Sequence, residues 1–382
     1  MTTKKLKFGV IGCGLMGKEF ASAVSRWCHL KSMTVEPEII AVCDVSLTAT
    51  EWFVKHLPTV TLATADYQEL LAHPDVEAIY CAVPHHLHAE LYVAIIQAGK
   101  HLLGEKPFGI DQLANQAILQ AIQEHPDVIV RCSSELPFFP GALKVYDFIQ
   151  NENVGPIIEV EAGFWHSSDL NPLKQINWKR QTAYNGEYGV MGDLGMHVMH
   201  LPLRLGWKPS NVRAQLSNLV TERPDQHGRL VPCDTWDNAI LFCEIHGKNG
   251  HFPLTISMKR IAPGHNNTWF IRVLGMNGSI EFSTKNPKEL RFMRYQSGGE
   301  QVWNVLDLPY QSAYPTITGT IFEFGFSDAI LQMWAAFCDE VVNGKRMSQP
   351  FACATPEETA ASHQLFTAAL KSHGTGETAQ LE

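Results

Sequence analysis

Three short stretches of this chain carry residue types that can hold a phosphate or move a proton. Near the start, Gly12-Cys13-Gly14-Leu15-Met16-Gly17 has the spacing G-x-G-x-x-G. At the end of the first quarter an acid, an amine and a proline follow one another as Glu105-Lys106-Pro107. Halfway along, Asp193 and His197 stand four residues apart, with His200 further on. Glycines in the first pattern serve a pyrophosphate: Gly12 permits a tight turn, Gly14 a close backbone approach, and Gly17 close helix–strand packing. The N–H groups of the helix that follows then face the anion. A lysine at a strand end is costly to bury unless it is paired. A histidine one helical turn from a carboxylate can act as a general base near neutral pH. An aspartate cap beside a packed histidine is the plainer reading of the same pair.

The elements around these stretches must put them in reach of a ligand. An apolar strand from Leu6 runs into the glycines, and Lys18–Trp27 reads as a helix with Phe20, Ala23, Val24 and Trp27 on one face. A second strand, Glu38–Cys43, ends in Asp44, where an acid would bond the ribose hydroxyls of NAD and repel the extra phosphate of NADP. The competing reading of Asp44 is a cap for the helix expected over Ser46–His56. Strand Val76–Cys81 leads into Val83-Pro84-His85, helix His88–Ala98 stops at Gly99, and strand His101–Gly104 delivers Glu105-Lys106-Pro107. A helix over Asp111–Glu124 and a strand over Val128–Val130 complete the alternation, which implies a doubly wound parallel sheet. Ligands of such sheets bind beyond the carboxyl ends of the strands, where all four features fall. His85, His86 and His88 lack a nearby cysteine or acid at zinc-ligand spacing and read as cofactor-loop or surface residues.

After Arg131 the pattern changes. A helix over Pro140–Gln150, a long alternating strand over Ile157–Trp165 and an irregular stretch over residues 166–188 precede the helix that carries Asp193 and His197. Strands then follow at Ala239–Ile245, Leu254–Lys259 and Trp269–Leu274, with a hairpin turn at Gly275–Gly278, implying an open, mainly antiparallel sheet. Two helices, over Phe326–Val342 and Pro356–Ser372, close the chain, and the last ten residues read as frayed. The expected division is an NAD-binding domain over 1–132 and a substrate and oligomerisation domain over 133–382, the last helices being able to pack back on the first domain.

Composition limits the rest. With 382 residues, 45% apolar and 18% charged, the chain is long enough for two cores. A net charge of −9 without a basic cluster argues against nucleic-acid or anionic-membrane partners. The nine cysteines are scattered and never spaced C-x-x-C, which fits reduced thiols in the cytoplasm and no structural zinc. No leader or stretch of about 18 apolar residues is read.

Together the glycine pattern, the run Ala98-Gly99-Lys100-His101-Leu102-Leu103-Gly104-Glu105-Lys106-Pro107 and Asp193-x-Gly195-x-His197 resemble the glucose–fructose oxidoreductase, inositol dehydrogenase and rhizopine-catabolism (Gfo/Idh/MocA) family. The resemblance covers most of the chain. It implies a Rossmann domain followed by an open antiparallel sheet, NAD or NADP as cofactor, with Asp44 favouring NAD, and pairing through that sheet as a homodimer or homotetramer. The implied activity is oxidation or reduction of a hydroxyl carbon of a sugar, cyclitol or related polyol. Carried over by motif, Lys106 is the catalytic lysine, Asp193 the substrate-site aspartate and His197 the catalytic histidine, facing Lys106 across a cleft. Gly12, Cys13, Gly14, Leu15, Met16, Gly17, Asp44, Val83, Pro84, His85, His88, Glu105 and Lys106 fall to the cofactor. Trp165, Trp178, Arg180 and Tyr184 join Asp193 and His197 on the substrate side, the aromatics having core packing as their alternative. In similar proteins the Lys106–Pro107 bond is often cis. Two positions depart from the family pattern: His200 stands where an acid is frequent, and His85 where an asparagine is usual. The implied metal content is none. Rival activities are redox-assisted glycoside hydrolysis or elimination with no net redox, a non-catalytic sugar or dinucleotide sensor, and a zinc-dependent enzyme resting only on the histidine clusters His85, His86 and His88 or Asp193, His197 and His200.

Overall fold

The computed structural model describes residues 3–31, 33–151, 154–247, 250–344 and 351–381. The chain forms two compact units. One takes in Met1–Gly109, Leu113–Phe138 and Tyr310–Pro356; the other takes in Ile110–Gln112, Phe139–Pro309 and Glu357–Glu382.

The first unit is built on six parallel strands: β1 (Lys4–Ile11), β2 (Val35–Cys43), β3 (Leu62–Thr64), β4 (Ala78–Cys81), β5 (His101–Gly104) and β6 (Val130–Cys132), in the order β3-β2-β1-β4-β5-β6. Strands covered on both faces must be apolar along their length, and Phe8, Val10, Ile39, Val42, Ile79, Leu102 and Leu103 are all buried. The intervening helices are α1 (Leu15–Ser25), α2 (Leu47–His56), α3 (Tyr67–Leu71), α4 (His88–Gln97) and α5 (Gln112–Glu124). The strand order reverses between β1 and β4, which opens the crevice where such sheets take their ligands. The sixth strand begins two residues later than the apolar run Val128–Val130 suggests. Its ladder starts only where the Leu102 N–H donates to the Ile129 carbonyl at 2.9 Å and Leu102 faces Val130.

The second unit carries a nine-stranded mixed sheet. Its strands are β7 (Ile157–Trp165), β8 (Pro209–Ser217), β11 (Asn238–Gly247), β12 (Gly250–Lys259), β13 (Thr268–Gly275), β14 (Gly278–Ser283), β15 (Glu289–Arg294), β16 (Asn304–Asp307) and β17 (Ala379–Gln380). A separate ribbon pairs β9 (Glu222–Pro224) with β10 (Leu230–Pro232). The sheet order is β16-β15-β14-β13-β7-β12-β11-β8-β17, with β7 and β12 parallel and the other pairs antiparallel. Its helices are α6 (Pro140–Gln150), α7 (Thr182–Asn185), α8 (Val190–Arg204) and α10 (Pro356–Thr375), while α9 (Phe326–Asn343) lies in the first unit.

The two faces of this sheet differ. Ala239, Leu241, Cys243 and Ile245 of β11 are buried, whereas the alternate Phe242 and His246 are exposed. Helix α8 is buried on all sides from Val190 to Leu203, the pattern of a helix inside a core. Its packing against α10 is close enough to require glycine, since a Cβ on Gly195 would lie 2.2 Å from the Phe366 ring.

The last residues are not frayed. Ala379 pairs with Val212 and Gln380 with Asn211, and the Leu381 N–H donates to Ser210, so the segment forms an edge strand of the sheet. No helix of the described residues is long and apolar enough to cross a membrane.

Candidate functional site

In the first unit the glycine turn closes as its spacing requires. Gly12 has φ of +96°, and a Cβ there would lie 2.2 Å from the Ala82 carbonyl oxygen. A Cβ on Gly17 would lie 2.2 Å from the Gly12 carbonyl oxygen, whereas nothing stands within 4 Å of one on Gly14. Two glycines therefore draw strand, turn and helix together, and the third leaves the turn open at its crest. No side chain caps the start of α1, and its first turn holds no acid, so its leading N–H groups suit an anion. Asp44 is fixed beside them: one carboxylate oxygen accepts from the Cys13 N–H at 2.8 Å, the other from the Ser46 N–H at 2.9 Å. It caps the segment before α2 and also ties the end of β2 to the turn. These residues fit a dinucleotide: the turn would hold its pyrophosphate and Asp44 its ribose.

Lys106 emerges from the same strand ends. Glu105 is buried, its Oε1 accepting from the Tyr80 hydroxyl at 2.6 Å and its carbonyl from the Tyr92 hydroxyl at 2.8 Å. The Lys106–Pro107 bond is cis, and Phe108 follows with φ of +73°. Asn115 secures that turn by donating from Nδ2 to the Phe108 carbonyl at 2.9 Å. His88 accepts at Nδ1 from the Gly109 N–H (3.4 Å), which leaves Nε2 to donate to the Val83 carbonyl (3.1 Å). It joins the Val83-Pro84-His85 loop to the lysine turn, and its ring stacks on Tyr92 with centroids 4.7 Å apart. His85 is buried beside it, whereas His86 is exposed.

Sequence reading passed over Glu135. The Ser133 N–H donates to the Gly104 carbonyl at 2.8 Å, which brings the segment after β6 alongside Glu105 and Lys106. Burial, and next the Glu105 carboxylate, push the Glu135 carboxyl up to about 7. Nothing in its local sequence marks it, because its environment is made by a neighbouring strand.

In the second unit Asp193 and His197 share one face of α8, and both are buried. The His197 ring meets Phe164 edge-on with centroids 5.6 Å apart, and its carbonyl accepts from the Trp269 Nε1–H at 2.8 Å. Asp193 accepts from Lys179 Nζ at 2.8 Å on one oxygen and from Arg260 Nε at 3.3 Å on the other. Arg260 is itself buried, its remaining nitrogens donating to the Lys179 and Gly189 carbonyls. His166 lies in the field of this group, and burial above all, with Lys179 and Arg260 adding to it, pushes its imidazole down to about 4. It is therefore neutral at pH 7. Arg260 is 67 residues from Asp193, so no spacing rule could have found it.

The remaining expected substrate residues separate. Trp178 lies 5.7 Å below the Lys179 ammonium, and Tyr184 is exposed on α7. Arg180 is wholly buried and points elsewhere: it pairs with Asp237 at 2.5 Å and donates to the Val220 carbonyl at 3.1 Å. Between adjacent residues Lys179 and Arg180, the turn sends one to Asp193 and the other into the core. Trp165 also turns away. Strand alternation puts Phe164 against His197 and Trp165 on the opposite face, where it donates to Ser257 Oγ at 2.9 Å. There Trp165 lines a cavity of about 500 Å³ with Phe270, Arg272 and Glu281. His200 is buried deeper in α8, with its Nε2 accepting from Arg204 at 3.3 Å, and Arg204 holds Glu358 of α10 through two bonds.

Among the described residues one group has metal-ligand spacing, Glu244 with His246 and His251, at the end of the β11–β12 ladder. It includes none of the histidines of the two clusters above.

Comparison with known proteins places the two units. Residues 6–132 match the oxidoreductase family with NAD-binding Rossmann fold, and residues 142–281 match the GFO/IDH/MocA C-terminal domain. Levoglucosan dehydrogenase of Pseudarthrobacter phenanthrenivorans is 25% identical over 305 residues, 75% of this chain and 76% of that protein. Inositol 2-dehydrogenase of Salmonella typhimurium is 23% identical over 244 residues, 63% of this chain and 67% of that protein. A structure of levoglucosan dehydrogenase in complex with NADH and levoglucosan superposes with a TM-score of 0.88 at 21% identity, covering 99% of this chain and 100% of that one. The likeness at that identity is one of fold. The chain is a member of the GFO/IDH/MocA oxidoreductase family, an NAD-binding Rossmann domain followed by that family's C-terminal domain.

Proposed function

We propose that this protein transfers a hydride between nicotinamide and a hydroxyl carbon of a sugar, cyclitol or related polyol. The observation that carries the reading is Asp193, buried one helical turn from His197 and gripped by Lys179 and Arg260, in a chain that also bears the glycine turn. NAD, when bound, supplies the hydride acceptor. An alcohol does not lose its proton near neutral pH unaided, and His197 takes that proton. Lys106 sets a positive charge against the oxygen as it becomes an alkoxide. Asp193, fixed by two cations, keeps a single orientation from which it accepts a substrate hydroxyl. Asp44 takes the ribose hydroxyls, and Trp178 and Tyr184 lie against C–H faces of the substrate. Levoglucosan dehydrogenase and inositol 2-dehydrogenase, relatives over most of the chain, support a polyhydroxylated substrate. Copies pair through the open face of the large sheet, where Phe242 and Ile158 are exposed.

The test is a panel of sugars, cyclitols and sugar acids scanned for net NADH formation, with Lys106→Ala and His197→Ala as controls. Each substitution is expected to lower kcat by about 10²–10⁴-fold, while NADH titration of either variant stays close to wild type. Full turnover in either variant, or glycoside cleavage without net NADH, would overturn the reading.

A further inference from the structure

The β11–β12 ribbon gathers three metal-ligating side chains on one face. His246 and His251 are register partners across the two strands, and Glu244 lies two residues before His246, which strand alternation puts on the same side. Each of the three offers a ligand atom within 4.8 Å of the other two. Glu244 Oε2 stands 4.0 Å from His246 Nε2, Glu244 Oε1 stands 3.5 Å from His251 Nδ1, and the two ring centroids are 4.1 Å apart. Ligand atoms about 2.0–2.1 Å from one tetrahedral ion stand roughly 3.3 Å from each other. Small rotations of these solvent-facing side chains therefore close the set.

The carboxylate is also oriented from the next strand. Asn211 of β8, the register partner of Glu244, donates from Nδ2 to Glu244 Oε2 at 2.9 Å. Ser210 Oγ donates to the Glu244 carbonyl at 3.1 Å. A ligand carboxylate held by a neighbouring donor has the outer support that metal sites carry. In sequence Glu244, His246 and His251 are an unremarkable trio, and only the hairpin register makes them neighbours.

Two imidazoles and a carboxylate suit Zn²⁺ and its neighbours Cu²⁺ and Ni²⁺, whereas Mg²⁺ and Ca²⁺ favour oxygen ligands throughout. We propose that Glu244, His246 and His251 bind a divalent transition-metal ion, Zn²⁺ above all, with water completing its coordination. The ion ties the end of β11 to the start of β12 on the exposed face of the sheet. The site shares no residue with the dehydrogenase reading, so either can fail alone.

Calorimetric titration of the untagged, chelator-treated full-length protein with ZnCl₂ tests it. The wild type should bind a Zn²⁺ ion that excess MgCl₂ does not displace, and its melting temperature should rise with Zn²⁺ concentration. His246→Ala and His251→Ala should each weaken this binding by about tenfold or more, and Asn211→Ala by about tenfold. The double histidine variant should melt at the wild-type temperature without metal and lose the Zn²⁺-dependent rise. Co²⁺, used as a coloured probe, should give visible absorption without a thiolate charge-transfer band, since no cysteine belongs to the set. Zn²⁺ affinity unchanged in the double variant, binding that never saturates, or a thiolate band with Co²⁺ would overturn the proposal.

Discussion

Single residues here take their properties from partners far away in sequence. Asp44 bridges the Cys13 and Ser46 N–H groups, so its carboxylate is oriented before any ligand arrives. Asp44→Ser removes the charge that would repel a 2′-phosphate, and the ratio of NAD to NADP affinity should fall by about tenfold, the scale of one charged hydrogen bond. An unchanged ratio in paired titrations would take Asp44 out of the ribose site. His166 offers a pH test. Its imidazole, at about 4 in the folded protein against an ordinary 6.5, binds fewer protons than the unfolded chain between those values. Stability from this group is therefore complete above pH 6.5 and is lost as pH falls towards 4. Discounted for partial exposure, the effect is on the order of 2 kcal/mol. His166→Gln should flatten the drop in denaturant midpoint between pH 6.5 and 4; an unaltered slope would show that the group does not govern it.

At the scale of elements, the stretch over residues 166–188 matters more than its lack of regular structure suggests. A single 3₁₀ turn, Trp178–Arg180, directs Lys179 to Asp193 and Arg180 to Asp237. Removing one partner of a buried pair leaves the other uncompensated, so Asp237→Ala should cost about 3–5 kcal/mol in denaturant unfolding. A loss below about 1 kcal/mol would mean that Arg180 finds other compensation. The periodicity over Ile157–Trp165 predicts the strand, and it also fixes which neighbours face α8. Assigning Trp165 to the substrate side overlooked that alternation, because an aromatic read in isolation carries no face. Elements with strong apolar patterns were legible along the whole chain. The short edge strand β17 was not, because Ala379 and Gln380 gain strand geometry only from the open edge of β8.

Across the whole molecule, the segment Tyr310–Pro356 belongs to the same unit as the glycine turn although the whole stretch Phe139–Pro309 of the other unit lies between them in sequence. Helix α9 covers α1 and β2 from outside the contiguous Rossmann sequence, with Trp334 fully buried and its ring centroid 4.9 Å from Phe8. Arg26, which follows the last residue of α1, and Asp328 of α9 add a salt bridge at 2.5 Å. Trp334→Ala should therefore destabilise the dinucleotide-binding unit by about 3–5 kcal/mol. A fragment ending at residue 132 should expose Phe8 and Phe20 and bind NADH poorly; thermal unfolding and NADH titration of the two proteins would check both outcomes. By itself the sequence determined the alternating strands and helices, the glycine turn, the place of Asp44 at the end of the second strand and the helix bearing Asp193 and His197. Those features are written in local periodicity and spacing, which a chain expresses whatever surrounds it. Tertiary structure alone decided that Lys179 and Arg260 share Asp193, that Glu135 lies beside Glu105, and that α9 completes the first unit. Burial and electric field at a residue are set by groups distant along the chain, and no local pattern encodes them.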